Sequence, residues 1–328
     1  MQPKTVPDAP VICFAHSAYG LQEAWDALPA GGRPTGASAF QVATKDALAA
    51  KIGEIDVLVL SGFWDNALLP KAKRLTLVQS VSAGVNQYDQ AAFREHGVRL
   101  ASAQGANEQA VSEHAIALIL AMARRIPEAR DNQAKTFWRP MQGDHATRED
   151  VIGGKTLLIV GLGRIGGRLA KLAHAFGMQV IGVRRDPAAG ANGADEVVAT
   201  TDLLANLPRA DYVALTCPLT DETRDIIDAK ALAAMKPGAT LVNAARGACV
   251  VEADLVAALS SGHLAGAALD VTVEEPLPAS SPLWAMPNVL ITPHSAGETR
   301  AYEASVIKLL VENLARLRRG ETLVNQIV

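Results

Sequence analysis

The chain has 328 residues, with 31 Lys or Arg and 34 Asp or Glu, so its formal charge is −3 at pH 7. This length predicts two domains, and the near-neutral charge argues against a nucleic-acid partner, which basic side chains would bind. No apolar stretch approaches the roughly 18 residues that span a bilayer, and no secretory signal begins the chain, so we expect a cytoplasmic protein without a membrane partner. The three cysteines, Cys13, Cys217 and Cys249, lack metal-ligand spacing, so we expect no disulfide framework and no metal site.

Short apolar runs alternate with helical patterns along the chain, which predicts an α/β fold with parallel sheets. Three buried strands are expected in the first third of the chain: 11–15, 57–60 and 75–81. A helix is expected over 39–51. A second helix is expected from 108 to 125, and Pro127 is expected to stop it.

The segment 130–150 interrupts this alternation. It is polar, has no clear period and carries Phe137 and Trp138 side by side. A segment of this length is either a solvated surface loop or an arm that packs on a second subunit, because exposed aromatic residues favour interfaces. Both interpretations stay open at this point.

The alternation is stronger after Gly154. Six strands are expected there: 156–160, 179–183, 212–216, 240–243, 265–270 and 289–291. So many strands in one stretch predict a single doubly wound domain. An amphipathic helix over 299–319 is expected to follow, with Gly320 ending it.

The pattern GLGRIG follows the first of these strands and opens a helix, a context that indicates a dinucleotide-binding loop. Gly161 would permit the tight turn, Gly163 would let the backbone approach a pyrophosphate, and Gly166 would let helix and strand pack closely. The helix N-terminus at Arg164 and Ile165 would offer N–H groups to the phosphates.

Two arginines stand where the adenine ribose is expected. An NAD site normally carries an acidic residue after the second strand, but this chain has Arg184 and Arg185 there. A guanidinium pair suits a 2′-phosphate, so we favour NADP(H) over NAD(H) as the cofactor. In the alternative, both arginines are solvated and Asp186 reaches the ribose.

The ends of the later strands supply a second, independent site prediction, because ligands of open α/β sheets bind beyond the carboxyl ends of the strands. The residues expected to face the cofactor there are Cys217, Pro218, Ala244, Asp270, His294 and Gly297. If the cofactor carries a hydride, His294 is suited to exchange the proton of the substrate hydroxyl. A carboxylate on its far nitrogen would hold its tautomer, and Arg246 would clamp a substrate carboxylate.

The motifs GLGRIG, NAARG, DVTVEEP and PHSAG stand in an order and spacing that resemble the D-isomer-specific 2-hydroxyacid dehydrogenases. VSAGVNQYD resembles the substrate loop of that family and NEQAVSEHAIALILAMARR its interdomain helix, so the resemblance covers most of the chain. It implies that Arg246 binds the substrate carboxylate and carbonyl and that His294 is the acid/base. It also implies that Glu275, rather than Glu274, pairs with His294, and that Asp270 lies near the nicotinamide.

The resemblance implies an organisation as well. Two Rossmann-like doubly wound parallel-sheet domains would enclose a cleft, with residues 1–100 and 299–328 as a discontinuous substrate domain. Residues 101–298 would form the dinucleotide-binding domain. Family members are usually dimers through the domain that contains the segment 130–150, so we expect a homodimer.

The expected reaction is hydride transfer from NADPH to a small 2-keto acid of the glyoxylate or hydroxypyruvate type, giving a D-2-hydroxy acid. The resemblance implies that backbone N–H groups around Ala83, Gly84 and Val85 hold the carboxylate. Phe63 follows a strand end. In the pocket wall its bulk would favour small substrates, and in the alternative it packs in the hinge. Two alternatives are an NAD-dependent dehydrogenase of the D-lactate or phosphoglycerate type and a non-catalytic relative that senses dinucleotides.

Overall fold

The computed structural model describes residues 4–29 and 31–328. The chain divides into two compact units, Met1–Asn107 with Thr299–Val328, and Glu108–Glu298. The first unit therefore continues past residue 100, where a boundary was expected. The reason is that Ser102 and Ala103 still hydrogen-bond within it, the Ser102 N–H to the Asn325 carbonyl (3.1 Å) and the Ala103 N–H to the Ser82 carbonyl (3.0 Å).

The first unit contains a five-stranded parallel sheet in the order β2-β1-β3-β4-β5. Its strands are β1 (Val11–Ala15), β2 (Ser38–Val42), β3 (Val57–Leu60), β4 (Leu77–Ser80) and β5 (Arg99–Ala101). The helix expected over 39–51 is wrong in its first part, because β2 occupies Ser38–Val42. This edge strand is only partly buried and lacks a continuous apolar run, which removes the usual strand signal.

Helices cover both faces of this sheet. The first three helices are α1 (Leu21–Asp26), α2 (Lys45–Lys51) and α3 (Gln90–His96). The Thr44 side chain accepts the Ala47 N–H and so begins α2, and Gly97 ends α3 in the left-handed conformation at φ +64°. Alternate residues of β3 enter two different core clusters, Val57 in one and Leu58 in the other, as expected for a sheet covered on both faces.

The second unit contains a seven-stranded parallel sheet in the order β12-β11-β10-β9-β6-β7-β8. Its strands are β6 (Thr156–Val160), β7 (Gln179–Arg184), β8 (Glu196–Ala199), β9 (Tyr212–Leu215), β10 (Thr240–Asn243), β11 (Gly266–Leu269) and β12 (Val289–Ile291). The six expected strands are present within a residue or so at their ends, and β8, a partly exposed edge strand, is the additional one. The strand order reverses between β6 and β9, which opens a crevice beyond their carboxyl ends.

The helices of the second unit are α4 (Glu108–Ala123), α5 (Ile126–Ala134), α6 (Arg164–Ala175), α7 (Leu203–Asn206), α8 (Ala229–Ala234) and α9 (Glu252–Ser260). Pro127 lies in the first turn of α5, where a missing N–H costs nothing, so it begins a helix as well as following one. The segment 130–150 therefore starts in a helix, contrary to the expectation, and later includes a short 3-10 turn at His145–Thr147.

The last helix, α10 (Tyr302–Arg319), returns to the first unit, and Gly320 ends it at φ +70°. Its buried Asn313 donates from Nδ2 to Gln79 Oε1 on β4 (2.8 Å), and the Tyr302 hydroxyl donates to the Val81 carbonyl. The predicted α/β class with two parallel sheets is confirmed. Among the described residues, none of the helices combines the length and the apolarity needed to cross a membrane.

Candidate active site

The glycine loop forms a cradle directly after β6. Gly161 has φ +99°, and a Cβ on it would lie 2.5 Å from the Cys217 backbone. A Cβ on Gly166 would lie 2.5 Å from the Gly161 carbonyl oxygen, so both positions require glycine. At Gly163, nothing lies within 4 Å of the Cβ position, and no side chain caps the N-terminus of α6. The open space and the free first-turn N–H groups, from Arg164 and Ile165 onwards, fit the pyrophosphate of a dinucleotide.

Two guanidinium groups stand at the carboxyl end of β7, beside this cradle. Arg184 is the last residue of the strand, and its Nη1 donates to the Gly190 carbonyl (2.8 Å). Arg185 Nε lies 3.0 Å from Glu222 Oε2 in an exposed ion pair. Asp186 Oδ1 accepts the Ala188 N–H (3.0 Å), so its carboxylate begins a 3-10 turn.

Asn192 also belongs to this part of the site, although no sequence pattern predicted it. Its Nδ2 donates to the Gly163 carbonyl (2.6 Å) and so holds the glycine loop from the outside. A Cβ on Gly167 would lie 2.3 Å from the same amide nitrogen, which shows how closely the two segments pack. Only the short distance in space connects Asn192 with the loop, and no motif marks it.

His294 and Glu275 form a hydrogen-bonded pair beyond β11 and β12. His294 Nδ1 lies 2.7 Å from Glu275 Oε2, and Glu275 Oε1 accepts the Thr272 N–H (3.1 Å). The carboxylate therefore orients the ring through Nδ1 and leaves Nε2 as the nitrogen that can exchange a proton with another molecule. For Glu274, by contrast, the contact in this loop is made by the backbone carbonyl, which accepts the Thr272 hydroxyl (2.7 Å).

The buried carboxylate of Asp270 fixes the turn that carries His294. Asp270 is 2% exposed, and it accepts hydrogen bonds from the Thr292 hydroxyl (2.6 Å) and from the N–H groups of Ser295 (3.0 Å) and Ala296 (3.1 Å). Its backbone carbonyl accepts the N–H of His294 (2.8 Å). His294 has φ +54°, a conformation that side-chain-bearing residues rarely adopt, and these bonds hold it there.

His114 on α4 extends this network. Thr292 has a single hydroxyl hydrogen, which the Asp270 carboxylate takes because a carboxylate only accepts. Thr292 Oγ1 must therefore accept from His114 Nε2, at 3.0 Å, so His114 carries a hydrogen on Nε2. The same Nε2 lies 3.4 Å from Asp270 Oδ1. This series of hydrogen bonds from α4 to the turn of His294 was not predicted from the sequence.

Arg246 stands in a turn that follows β10. Its Nη1 donates to the Ala245 carbonyl (2.6 Å), and its own carbonyl accepts from Asn243 Nδ2 (3.0 Å). A Cβ on Gly247 would lie 1.9 Å from the Thr272 carbonyl oxygen, so this turn packs directly on the backbone that leads to Glu275. Residues after three neighbouring strands, β10, β11 and β12, thus meet at one edge of the sheet.

The remaining predicted positions of the second unit lie along the same edge. Cys217 and Pro218 follow β9, where the neighbouring Thr216 hydroxyl donates to the Gly161 carbonyl (2.9 Å). Ala244 follows β10, and its N–H donates to the Leu215 carbonyl (3.3 Å). Gly297 is a half-buried residue of the loop that contains His294. Within the described parts of the chain, no group of His, Cys, Asp and Glu side chains is arranged to hold a metal ion.

A family model for the D-isomer specific 2-hydroxyacid dehydrogenase NAD binding domain matches residues 116–296, more than half of the chain. The chain belongs to the D-isomer-specific 2-hydroxyacid dehydrogenases. The matched segment lies within the second unit of this dehydrogenase and includes the glycine loop, the Arg246 turn and the His294–Glu275 pair.

Individual relatives agree with this membership. The dehydrogenase is 37% identical over 291 residues to the glyoxylate reductase of Aeropyrum pernix, covering 86% of this chain and 85% of that protein. It is 36% identical over 283 residues to D-3-phosphoglycerate dehydrogenase of Methanocaldococcus jannaschii, but it spans 52% of that longer protein. A crystal structure of a D-isomer specific 2-hydroxyacid dehydrogenase from Xanthobacter autotrophicus Py2, in complex with NADPH and MES, matches with a TM-score of 0.80 at 29% identity, covering 98% of each chain.

The first unit of the dehydrogenase carries its predicted residues on loops after β3 and β4. The Ser82 hydroxyl donates to the Gly84 carbonyl (2.8 Å) and so shapes the loop that contains Ala83, Gly84 and Val85. Phe63 is half-buried after β3, with its ring stacked on His16 at a centroid distance of 6.4 Å.

Proposed function

We propose that this dehydrogenase uses NADPH to reduce a small 2-keto acid, of the glyoxylate or hydroxypyruvate type, to a D-2-hydroxy acid. The observation that carries the proposal is the His294–Glu275 pair, 2.7 Å between Nδ1 and Oε2, at the same sheet edge as the glycine cradle. Such a pair supplies a proton donor where a hydride acceptor would be reduced. The similarity to a glyoxylate reductase that the chain covers almost throughout supports the substrate class.

The proton chemistry is assigned to His294 as a proposal. Reducing a carbonyl creates negative charge on its oxygen, and the protonated Nε2 would donate to that oxygen. The Glu275 carboxylate accepts from His294 Nδ1 and so holds the ring in the orientation and tautomer that proton transfer through Nε2 requires. The bound nicotinamide supplies the hydride. Asp270 takes no proton in this scheme and instead fixes the turn that positions His294.

Substrate binding is assigned to Arg246 and, as a separate contribution from the first unit, to the loop of Ala83, Gly84 and Val85. A guanidinium binds a carboxylate with two parallel hydrogen bonds and polarises the carbonyl next to it. The turn of Arg246 is held by Asn243 and packed on Thr272, so the backbone that carries the guanidinium is fixed in position. Backbone N–H groups of the loop are suited to donate to a carboxylate as well.

We propose NADP(H) as the preferred cofactor. Arg184 and Arg185 stand at the end of β7, where the 2′-phosphate of the adenine ribose would lie. The alternative acceptor for a ribose hydroxyl, Asp186, is engaged with the Ala188 N–H. The NADPH complex of the Xanthobacter autotrophicus relative supports the choice.

We further propose a homodimer through the second unit. Phe137, Trp138 and Met141 expose large apolar side chains on the segment 130–150, Trp138 at 94% and Met141 at 98%. Apolar residues exposed together favour a subunit interface. Light scattering on the wild type and on Trp138→Ser tests the proposed interface. We expect the wild type to be a dimer and Trp138→Ser to dissociate more readily. A monomeric wild type would contradict the proposal.

We propose that the protein is located in the cytoplasm. All three cysteines are free, although two of them have sulfur atoms 4.0 Å apart. Closely placed thiols stay reduced in the cytoplasm and oxidise in secreted proteins.

Turnover with a panel of acids tests the function. NADPH and NADH are each offered with glyoxylate, hydroxypyruvate, pyruvate, oxaloacetate and phosphohydroxypyruvate, and cofactor oxidation is followed by absorbance. We expect the highest kcat/KM with NADPH and with glyoxylate or hydroxypyruvate. A preference for phosphohydroxypyruvate with NADH would favour the phosphoglycerate-type alternative, and tight dinucleotide binding without turnover of any acid would favour the sensing alternative.

A further inference from the structure

We propose that Cys217 and Cys249 form a thiol pair that hydrogen peroxide closes into a disulfide, and that this closure switches the enzyme off. Their Sγ atoms are 4.0 Å apart. A disulfide requires about 2.05 Å between its sulfur atoms, so the two side chains must approach by roughly 2 Å. The part of the proposal that concerns activity rests on the proposed reductase function, whereas formation of the bond does not.

The two cysteines lie beside two parts of the candidate site, Cys217 beside the glycine loop and Cys249 beside the turn of Arg246. Cys217 follows β9 and packs against the glycine loop, where its backbone lies 2.5 Å from the Cβ position of Gly161. Cys249 ends the 3-10 turn Gly247–Cys249, and its N–H donates to the Arg246 carbonyl (3.1 Å). A bond between the two sulfur atoms would therefore tie the phosphate cradle to the turn that carries the proposed substrate-binding arginine.

Neither backbone has room to follow the sulfur atoms freely. Cys217 is held by its close approach to Gly161, and the Cys249 turn is held by Gly247, whose Cβ position lies 1.9 Å from the Thr272 carbonyl oxygen. Densely packed segments transmit strain instead of absorbing it. Closing the gap is therefore expected to displace the Arg246 turn and to remove its guanidinium from the position that binds a carboxylate.

The two thiols differ in reactivity. The hydrogen bond between the two thiols, together with Arg246 and Arg224 nearby, lowers the pKa of the Cys249 thiol despite its burial. The same hydrogen bond and burial raise the pKa of Cys217. The two nearby guanidinium groups favour the thiolate form of Cys249, and a thiolate is the form that attacks an oxidant.

The chemistry balances with peroxide as the oxidant. The Cys249 thiolate attacks one peroxide oxygen, an S–O bond forms, the O–O bond breaks, and the departing hydroxide takes a proton to become water. The Cys217 sulfur then attacks the Cys249 sulfur, so the S–S bond forms and the S–O bond breaks. The second hydroxide leaves as water with the Cys217 proton. Two thiols are oxidised by two electrons in total, and one peroxide is reduced to two waters.

Burial restricts which oxidants can act. Cys249 is 0% exposed and Cys217 is 6% exposed, so a small neutral molecule such as hydrogen peroxide is the suitable reagent. Cys13 provides an internal comparison, because it is also fully buried and free but belongs to the core of the first unit. Burial raises the pKa of Cys13 to about 12.

The experiment treats the reduced full-length protein with hydrogen peroxide and follows intact mass and turnover in the same samples. We expect the mass to fall by two hydrogen atoms, a tryptic map to join the Cys217 and Cys249 peptides, and turnover to fall by at least tenfold. Dithiothreitol should restore both the mass and the turnover. The mass readout requires no activity, so failure of the proposed reaction and failure of the thiol pair are seen separately.

Two variants complete the design. Cys249→Ala should form no bridge and should keep its own unoxidised turnover under peroxide, whereas the matched control Cys13→Ala should behave as the wild type. Cys217→Ala, followed by mass alone, should also form no bridge. The proposal is overturned by addition of oxygen without a linked peptide, by a bridge that leaves turnover unchanged, or by equal inactivation of Cys249→Ala and the wild type.

Discussion

Ionisable side chains dominate the carboxyl edge of the seven-stranded sheet, whereas small residues and aromatic rings, including the imidazole of His16, dominate that of the five-stranded sheet. In the second unit, Arg246, Glu275 and His294 follow three neighbouring strands, and the buried carboxylate of Asp270 supports them. In the first unit, a serine shapes the loop at Gly84, and Phe63 stacks on a neighbouring ring.

In the proposed function, this difference assigns different tasks to the two edges. Charged groups need fixed geometry, and the second unit supplies it with hydrogen bonds from buried atoms. An edge of backbone N–H groups and rings needs no such support, and it is suited to measure the size of a substrate. We therefore expect changes at the edge of the five-stranded sheet (the first edge) to alter substrate choice. Changes at the edge of the seven-stranded sheet (the second edge) should alter the rate.

The largest effect is expected for His294→Asn. Asparagine cannot exchange a proton near neutral pH, so kcat should fall by about 10²–10⁴-fold. NADPH affinity should stay close to that of the wild type, because the glycine loop and the arginines are unchanged. Steady-state kinetics and a fluorescence titration measure the two quantities.

His263→Asn is the matched control for that variant. The His263 ring bonds the carbonyls of Leu232 and Met235 within the same unit, away from the edge. The His263→Asn substitution should lower the free energy of unfolding but leave kcat nearly unchanged. Loss of NADPH binding in His294→Asn would contradict the division of roles.

The next effect concerns the cofactor. Arg184→Asp replaces a cation with a ribose acceptor at the end of β7, so the preference for NADPH over NADH should fall by about 10–100-fold, the range of a charge-assisted hydrogen bond. The ratio of the two kcat/KM values measures it. Arg94→Asp, an exposed change on α3, controls for net charge, and an unchanged ratio in Arg184→Asp would show that Arg184 does not touch the cofactor.

A smaller effect is expected where support for His294 is removed. Thr292→Val deletes the hydroxyl between His114 and Asp270 without changing the volume, which leaves the buried Asp270 carboxylate and the half-buried His114 ring without that partner. The free energy of unfolding should fall by about 1–3 kcal/mol and kcat by about tenfold. Thr292→Ser keeps the hydroxyl and should restore kcat. Equal kcat in the Val and Ser variants would remove Thr292 from the positioning network.

The smallest effect is expected at the first edge. Phe63→Ala should raise kcat/KM for pyruvate and phenylpyruvate relative to glyoxylate by several-fold, because contact with one apolar group is worth about 1–3 kcal/mol. The kcat for glyoxylate should change little. A general loss of kcat on every acid would show that the first edge takes part in the rate, which contradicts the comparison.

Much of the fold was predictable because central parallel strands are continuous apolar runs. Strands such as β6, with the sequence TLLIV, are buried on both faces and separate clearly from their surroundings. The three missed strands, β2, β5 and β8, are all edge strands. Because β2 and β8 are only partly buried and β5 has three residues, none of their sequences carries such a run.

The candidate site was predictable where a residue follows a strand or belongs to a motif, as His294 and Glu275 do. His114 and Thr292 were missed, because their roles depend on α4 meeting the loop after β12, which no local pattern encodes. The same limit applies to the Cys217–Cys249 pair, whose sulfur atoms are brought together by the packing of two loops.

The most direct test of the central claim follows the hydride itself. Hydroxypyruvate is reduced with NADPH that carries deuterium on the transferring position of its nicotinamide ring, and the product is analysed for mass and chirality. We expect a D-2-hydroxy acid with deuterium on the carbon that bears the new hydroxyl. An L product, or a D product without deuterium, would contradict direct hydride transfer at this site.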